Sequence, residues 1–155
     1  MQLFNTRGHK LQQFTPLHPD SVRMYSCGPT VYNHAHIGNL SSYIYADILR
    51  RTLRQCFGTT KHVMNITDVD DKTIRDSLAK YSDQPPRQAL QRLTSHYQQI
   101  FLDEMRAVGN SVDDITLVKA TDNIAEIQRL ILKLLEQKVA YVASDGIYFS
   151  VDTYA

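Results

Sequence analysis

Within residues 26–39, SCGPTVYNHAHIGN, a thiol (Cys27), two imidazoles (His34 and His36) and a glycine (Gly38) fall close together. A thiolate is a nucleophile when a base stands beside it and a metal ligand when other donors converge on it. An imidazole at a helix start can donate a hydrogen bond to a phosphate oxygen, where backbone N–H groups already favour an anion. A glycine there lets a ligand approach the main chain. This spacing is open to two readings, a phosphate site or a polar loop with surface histidines. Cys27 alone reads as a small apolar side chain at a strand end. A metal reading needs three further donors, with His34, His36 and His62 as near candidates. No CxxC or HxxxH spacing supports a site built from this chain alone.

The elements around these residues decide where they point. VRMYSC at 22–27 alternates and carries β-formers, which predicts a strand. In 40–57, Leu40, Ile44, Ile48, Leu53 and Phe57 keep helical spacing, and Gly58 suits the helix end. KHVMNIT at 61–67 reads as a second strand. Strand, loop, helix and strand make a βαβ unit with a parallel pairing, which binds ligands at the carboxyl ends of its strands. Residues 27–39 occupy that place.

LFNT and LQQFTPL flank RGHK as a short hairpin. DVDDKTIRDSLAKY predicts a helix whose acids Asp68, Asp70 and Asp71 serve as cap and first turn rather than as a metal cluster. SDQPPRQ at 82–88 separates it from a long helix over 85–107, and 122–138 is strongly amphipathic. VAYVASDGIYFSV then reads as a hairpin turning at Asp145-Gly146. Arg50, Arg51 and Arg54 read as a solvated helix face, His34 as a solvated loop residue, and Cys56 as core.

The chain has 155 residues, 43% hydrophobic and 21% charged, which suits one globular domain. Its 17 basic and 16 acidic side chains give a formal charge of +1, so bulk charge does not advertise nucleic acid. Two cysteines are too few for a disulfide framework and fit a reducing, cytoplasmic setting. Neither a signal core nor a membrane span is expected.

SCGPTVYNHAHIGN followed by MNITDVDDK at 64–72 resembles the N-terminal half of the cysteinyl-tRNA synthetases, a class I aminoacyl-tRNA synthetase family. HIGN at 36–39 stands where the class I HIGH signature lies, and the resemblance runs from LFNT to AYVASDGIYFSV. It implies an α/β, Rossmann-like half-fold with a parallel βαβ unit plus a helical and hairpin connecting insertion. The implied domains are 1–84, the first half of the nucleotide-binding catalytic domain, and 85–155, the insertion that faces the acceptor end of tRNA.

The resemblance also implies roles. His36 and Asn39 match the signature residues that act on ATP, within an ATP-binding set of Gly28, Pro29, Thr30, His36, Gly38 and Asn39. Cys27 matches the first protein ligand of a zinc ion (Zn2+) that binds the thiolate of the substrate cysteine, and Thr67 matches a contact to that amino acid. Zinc prefers soft sulfur, so a free coordination position selects cysteine over serine. The implied reaction is cysteinyl-adenylate formation from L-cysteine and ATP with Mg2+, then transfer to tRNA(Cys), by a cytoplasmic monomer. Asn39 replaces the second signature histidine; it keeps an N–H donor and cannot carry charge.

The KMSKS loop, the other zinc ligands and the anticodon-binding domain of the family have no counterpart in these residues. The chain is therefore expected to be incomplete for catalysis, as a piece of a longer protein or a free-standing remnant. Two alternatives stay open: a truncated paralogue that binds nucleotide or RNA without catalysis, and a cysteine ligase of mycothiol biosynthesis.

Overall fold

The computed structural model describes residues 1–153; the last two residues of the expected insertion lie outside them. By contact density the chain divides into two compact units, Met1–Lys119 and Ala120–Ala155. The first unit continues past the boundary expected at residue 84.

In the first unit, β1 (Gln2–Asn5) and β2 (Lys10–Gln13) form the expected antiparallel hairpin. β3 (Ser21–Ser26) pairs parallel with β4 (Thr59–Ile66), with Ser21 opposite Thr59 and Ser26 opposite Met64. β5 (Ile115–Lys119) extends the sheet on the other side of β4, again parallel, His62 opposite Ile115. The order is β3-β4-β5, so the sequence-adjacent strands are neighbours and β4 is central. Between β3 and β4 runs α1 (Ile37–Phe57). Between β4 and β5 run α2 (Asp71–Lys80) and α3 (Pro86–Ala107), which pack on each other. This is an α/β unit with parallel strands joined through helices, as a Rossmann-like half-fold requires.

β4 alternates as a half-covered strand should: His62, Met64 and Ile66 are buried, while Val63, Asn65 and Thr67 are only partly covered. Met64 and Ile66 join Val31, Tyr43, Phe101, Met105, Val112 and Ile115 in one apolar core. Tyr43 meets Phe101 edge to face at 5.3 Å between ring centres, which ties α1 to α3.

α1 buries Leu53 and partly covers Leu40, Ile44 and Phe57 of the expected stripe, but its buried face is broader than that stripe. Ile48 of the apolar stripe is exposed, and the buried positions are Tyr43, Asp47, Arg50 and Leu53. Arg50 is only 2% exposed, which corrects the solvated reading of 50, 51 and 54 for this residue. Its guanidinium bonds Asp47 and, at 2.8 Å, Asp114. Arg51 reaches the second Asp47 oxygen at 2.6 Å and the Gly109 carbonyl at 2.6 Å. Burial alone would raise the Asp47 carboxyl; the bonds from Arg50 and Arg51, the Arg50 charge and the Ser111 N–H outweigh it and hold it below the usual range. A buried charge is tolerable only when paired in this way. Cys56, expected in the core, is exposed.

The second unit holds α4 (Ile124–Glu136) and the antiparallel pair β6 (Ala140–Val142) and β7 (Ile147–Phe149). The turn sits at Asp145-Gly146 as expected, closed by Ala143 N–H donating to the Gly146 carbonyl at 2.8 Å. α4 packs on β6 and buries none of its residues fully.

Candidate functional site

The floor of the site is the parallel pairing carried past the ends of β3 and β4. Thr30 and Thr67 form an isolated parallel bridge, with Thr67 N–H donating to Pro29 O at 2.9 Å and Val31 N–H to Thr67 O at 3.1 Å. Gly28 lies flat against β4: a Cβ there would fall 1.8 Å from the Asn65 carbonyl oxygen and 2.7 Å from Met64 Cγ. Only glycine permits that approach.

Asn65 locks this floor. Its side-chain oxygen accepts from the Gly28 N–H and the Tyr25 hydroxyl, each at 2.9 Å, and its Nδ2 donates to Thr67 Oγ1 at 3.2 Å. Two donors on Oδ1 fix which way the amide faces. Sequence reasoning missed Asn65. Its signal was an asparagine inside a strand otherwise rich in β-formers, where that residue is disfavoured.

His36 starts α1 as its N-cap. Its backbone is extended, and ring Nδ1 accepts from the N–H groups of Gly38 (3.1 Å) and Asn39 (3.3 Å). The ring proton therefore sits on Nε2 in this state, which leaves one imidazole donor for a ligand. Gly38 makes room for the ring: a Cβ there would lie 3.0 Å from His36 Cε1. His34 is exposed on the loop as expected, and its ring also meets Glu104 of α3, Nδ1 to Oε1 at 2.8 Å, while the Ala35 N–H donates to the other oxygen at 3.4 Å. Glu104 thus holds the loop before α1 against α3.

At the start of α2, Asp70 accepts from Thr73 N–H at 2.7 Å and Thr73 Oγ1 accepts from Asp70 N–H at 2.7 Å, a reciprocal cap. That bears out the capping reading for Asp70. Asp71 lies in the first turn, and Asp68 is buried ahead of the cap.

These elements enclose a cleft of about 430 Å³. Gly28, Pro29, Thr30, His36 and Asn39 line it, together with Tyr32, Tyr43, Asp70, Lys72 and Phe101. Of the expected site residues, Cys27, Gly38 and Thr67 lie outside that lining. Cys27 precedes Gly28 with an exposed thiol that donates to Gly28 O at 3.6 Å. Burial, with the Cys27 charge adding to it, pushes the Tyr43 phenol up to about 12, so it stays protonated and can only donate or accept neutrally. The cleft offers an imidazole N–H, an amide, a hydroxyl and a lysine, which suits an anionic ligand bound by hydrogen bonds.

A resident zinc ion does not fit the described residues alone. No three His, Cys, Asp or Glu side chains among them group to hold a metal. Cys27 is one sulfur donor where a closed tetrahedral site needs four ligands.

Comparison with known proteins agrees with this geometry. The cysteine–tRNA ligase of Koribacter versatilis (strain Ellin345) is 42% identical over 149 residues, covering 96% of this chain and 29% of that protein. The cysteine–tRNA ligase of Wolbachia pipientis subsp. Culex pipiens (strain wPip) is 39% identical over 154 residues, 99% of this chain and 32% of that protein. That of Leptospira interrogans serovar Lai (strain 56601) is 36% identical over 154 residues, 31% of its length. The chain thus spans about a third of the curated relatives it matches. The family described as tRNA synthetases class I (C) catalytic domain matches residues 13–155, which takes in every residue that lines the cleft. On that match the chain belongs to the class I (C) tRNA synthetase catalytic domain family.

Proposed function

We propose that this chain is the opening portion of a cysteine–tRNA ligase catalytic domain, and that it holds ATP for the activation of cysteine. One observation carries the reading: His36 and Asn39, which match the family's ATP signature, line one cleft with Gly28, Pro29 and Thr30 at the carboxyl ends of parallel strands. That is where an open α/β sheet binds nucleotides.

In the proposed reaction the cysteine carboxylate attacks the α-phosphorus of ATP. An O–P bond forms, the bond to the bridging oxygen breaks, and its electron pair leaves on pyrophosphate. The residues of this chain do no covalent chemistry. His36 Nε2–H and the Asn39 amide donate to phosphate oxygens and stabilise the charge that develops on them. Asn39 does so without a charge, which weakens its pull relative to an imidazolium. Thr67, joined to the floor through Asn65, is the proposed contact for the amino acid, and Cys27 the sulfur nearest the substrate thiol. Mg2+ accompanies ATP as part of the substrate. The terminal ribose hydroxyl of tRNA(Cys) then attacks the carbonyl of the adenylate; the ester C–O bond forms, the anhydride C–O bond breaks, and AMP leaves with its electron pair. Because the donors for zinc are not complete here, no step of this chain runs through that metal. The proposed setting is the cytoplasm and the proposed state a monomer; no helix among the described residues is long and apolar enough to cross a membrane.

Cysteine-dependent ATP–pyrophosphate exchange tests the reading, on this chain and on any longer chain that carries it. Exchange specific to cysteine supports it. Nucleotide binding with no exchange from either chain refutes it in favour of a non-catalytic paralogue. Adenylate transferred to an amino sugar but not to tRNA(Cys) refutes the tRNA acceptor.

A further inference from the structure

We propose that Lys72 is a further contact for the polyphosphate of the nucleoside triphosphate; this deepens the nucleotide reading above and rests on it. Lys72 lines the same cleft as His36 and Asn39, and among the described residues it is the only lysine or arginine that does. Among the described residues its ammonium makes no ion pair, although Asp70 and Asp71 precede it directly. Asp70 is occupied instead by the cap of α2.

The position of Lys72 runs against local preference. It lies in the first turn of α2, where the helix dipole favours acids and disfavours a cation. Asp70 and Asp71 follow that preference and Lys72 breaks it. Its Nζ stands 5.5 Å from the centre of the Tyr32 ring, itself a wall of the cleft. An ammonium over an aromatic face is held loosely, with its N–H groups available. A helix-start cation with no carboxylate partner, kept beside a cleft already lined by phosphate-type donors, is charge waiting for an anion. Lysine is a compact point charge well suited to phosphate oxygens, and it needs no bidentate geometry.

The test is calorimetric titration at fixed ionic strength of the 155-residue chain and its Lys72→Ala and Lys72→Arg variants. The probes are ATP, inorganic tripolyphosphate and adenosine. Lys72 is exposed, so neither variant should disturb the fold, and matching thermal melts would establish that. The expected result is about tenfold weaker ATP and tripolyphosphate binding in Lys72→Ala, the scale of one charge-assisted contact. Adenosine binding should be unchanged, and Lys72→Arg should restore most of the loss. Equal ATP binding in wild type and Lys72→Ala overturns the assignment while leaving the nucleotide reading standing. Tripolyphosphate bound through Lys72, with no preference for ATP, keeps the phosphate contact and refutes the nucleotide reading. Failure of the wild type to bind either phosphate overturns both.

Discussion

Replacing Gly28 by alanine should unfold the floor of the cleft before it touches any ligand. The added Cβ would sit 1.8 Å from Asn65 O and 3.0 Å from Asn65 C, both backbone atoms of the central strand. Ordinary contact needs more than 3 Å, so the loop or the strand must retreat by over an ångström. The strand is held on both sides by parallel ladders to β3 and β5, so the loop moves. That breaks the 2.9 Å bond from Gly28 N–H to Asn65 Oδ1 and loosens the Pro29–Thr67 pairing. Overpacking costs about 1–3 kcal/mol, and a lost hydrogen bond about 1 more. A total near 3 kcal/mol lowers Tm by roughly 6–12 °C in a chain of this size. Thermal unfolding followed by circular dichroism reads the stability, and ATP titration reads the cleft. A Gly28→Ala variant that melts within about 2 °C of wild type would refute the claim that this close approach requires glycine.

Asp47→Ala should cost about 3 kcal/mol, because it strips a buried guanidinium of its buried carboxylate and leaves it the half-exposed Asp114 and a long contact to the Ser111 carbonyl. Urea unfolding checks this, and a loss below about 1 kcal/mol would show that Arg50 does not need Asp47. Stability should fall with acid in two steps. Burial, then the Arg50 charge, hold the His62 imidazole below its ordinary 6.5 against the opposing pull of Asp47. The unfolded chain therefore takes up that proton first, and stability drops as pH falls below 6.5. Asp47, depressed in the fold, contributes stability above its unfolded value of 3.8 that is lost as pH falls through its lower folded value. His62→Gln should remove the first step from a pH series of melts; its persistence would assign that step elsewhere. His36→Ala should cost about 1 kcal/mol as a lost helix cap. In a chain competent for exchange it should slow adenylate formation by about 10²-fold. A normal exchange rate would confine His36 to capping.

Much of the architecture is legible in local pattern. The βαβ unit, both hairpins, the Asp145-Gly146 turn and the Asp70 cap follow from periodicity and turn chemistry, which are properties of a few neighbouring residues. The order and spacing of CGPTVY, HIGN and NITDVDDK also carry the family, and Gly28–Tyr32, His36, Asn39, Asp70 and Lys72 of those motifs line one cleft.

What local pattern could not show depends on partners far along the chain. Arginines on a helix read as solvated, yet Arg50 is buried because Asp114 arrives 64 residues later to pair with it. The buried face of α1 is then set by a charge network as well as by apolar spacing. The run Ile115–Lys119 had the β-branched composition of a strand, but only its seat beside β4 makes it one. Glu104 reaches His34 across 70 residues, and Asn65 reaches Gly28 across 37. The sequence alone therefore determined most of the elements, β5 excepted, and the family. The tertiary structure decided which polar groups could be buried, because a buried charge or amide is stable only where the fold brings it a partner.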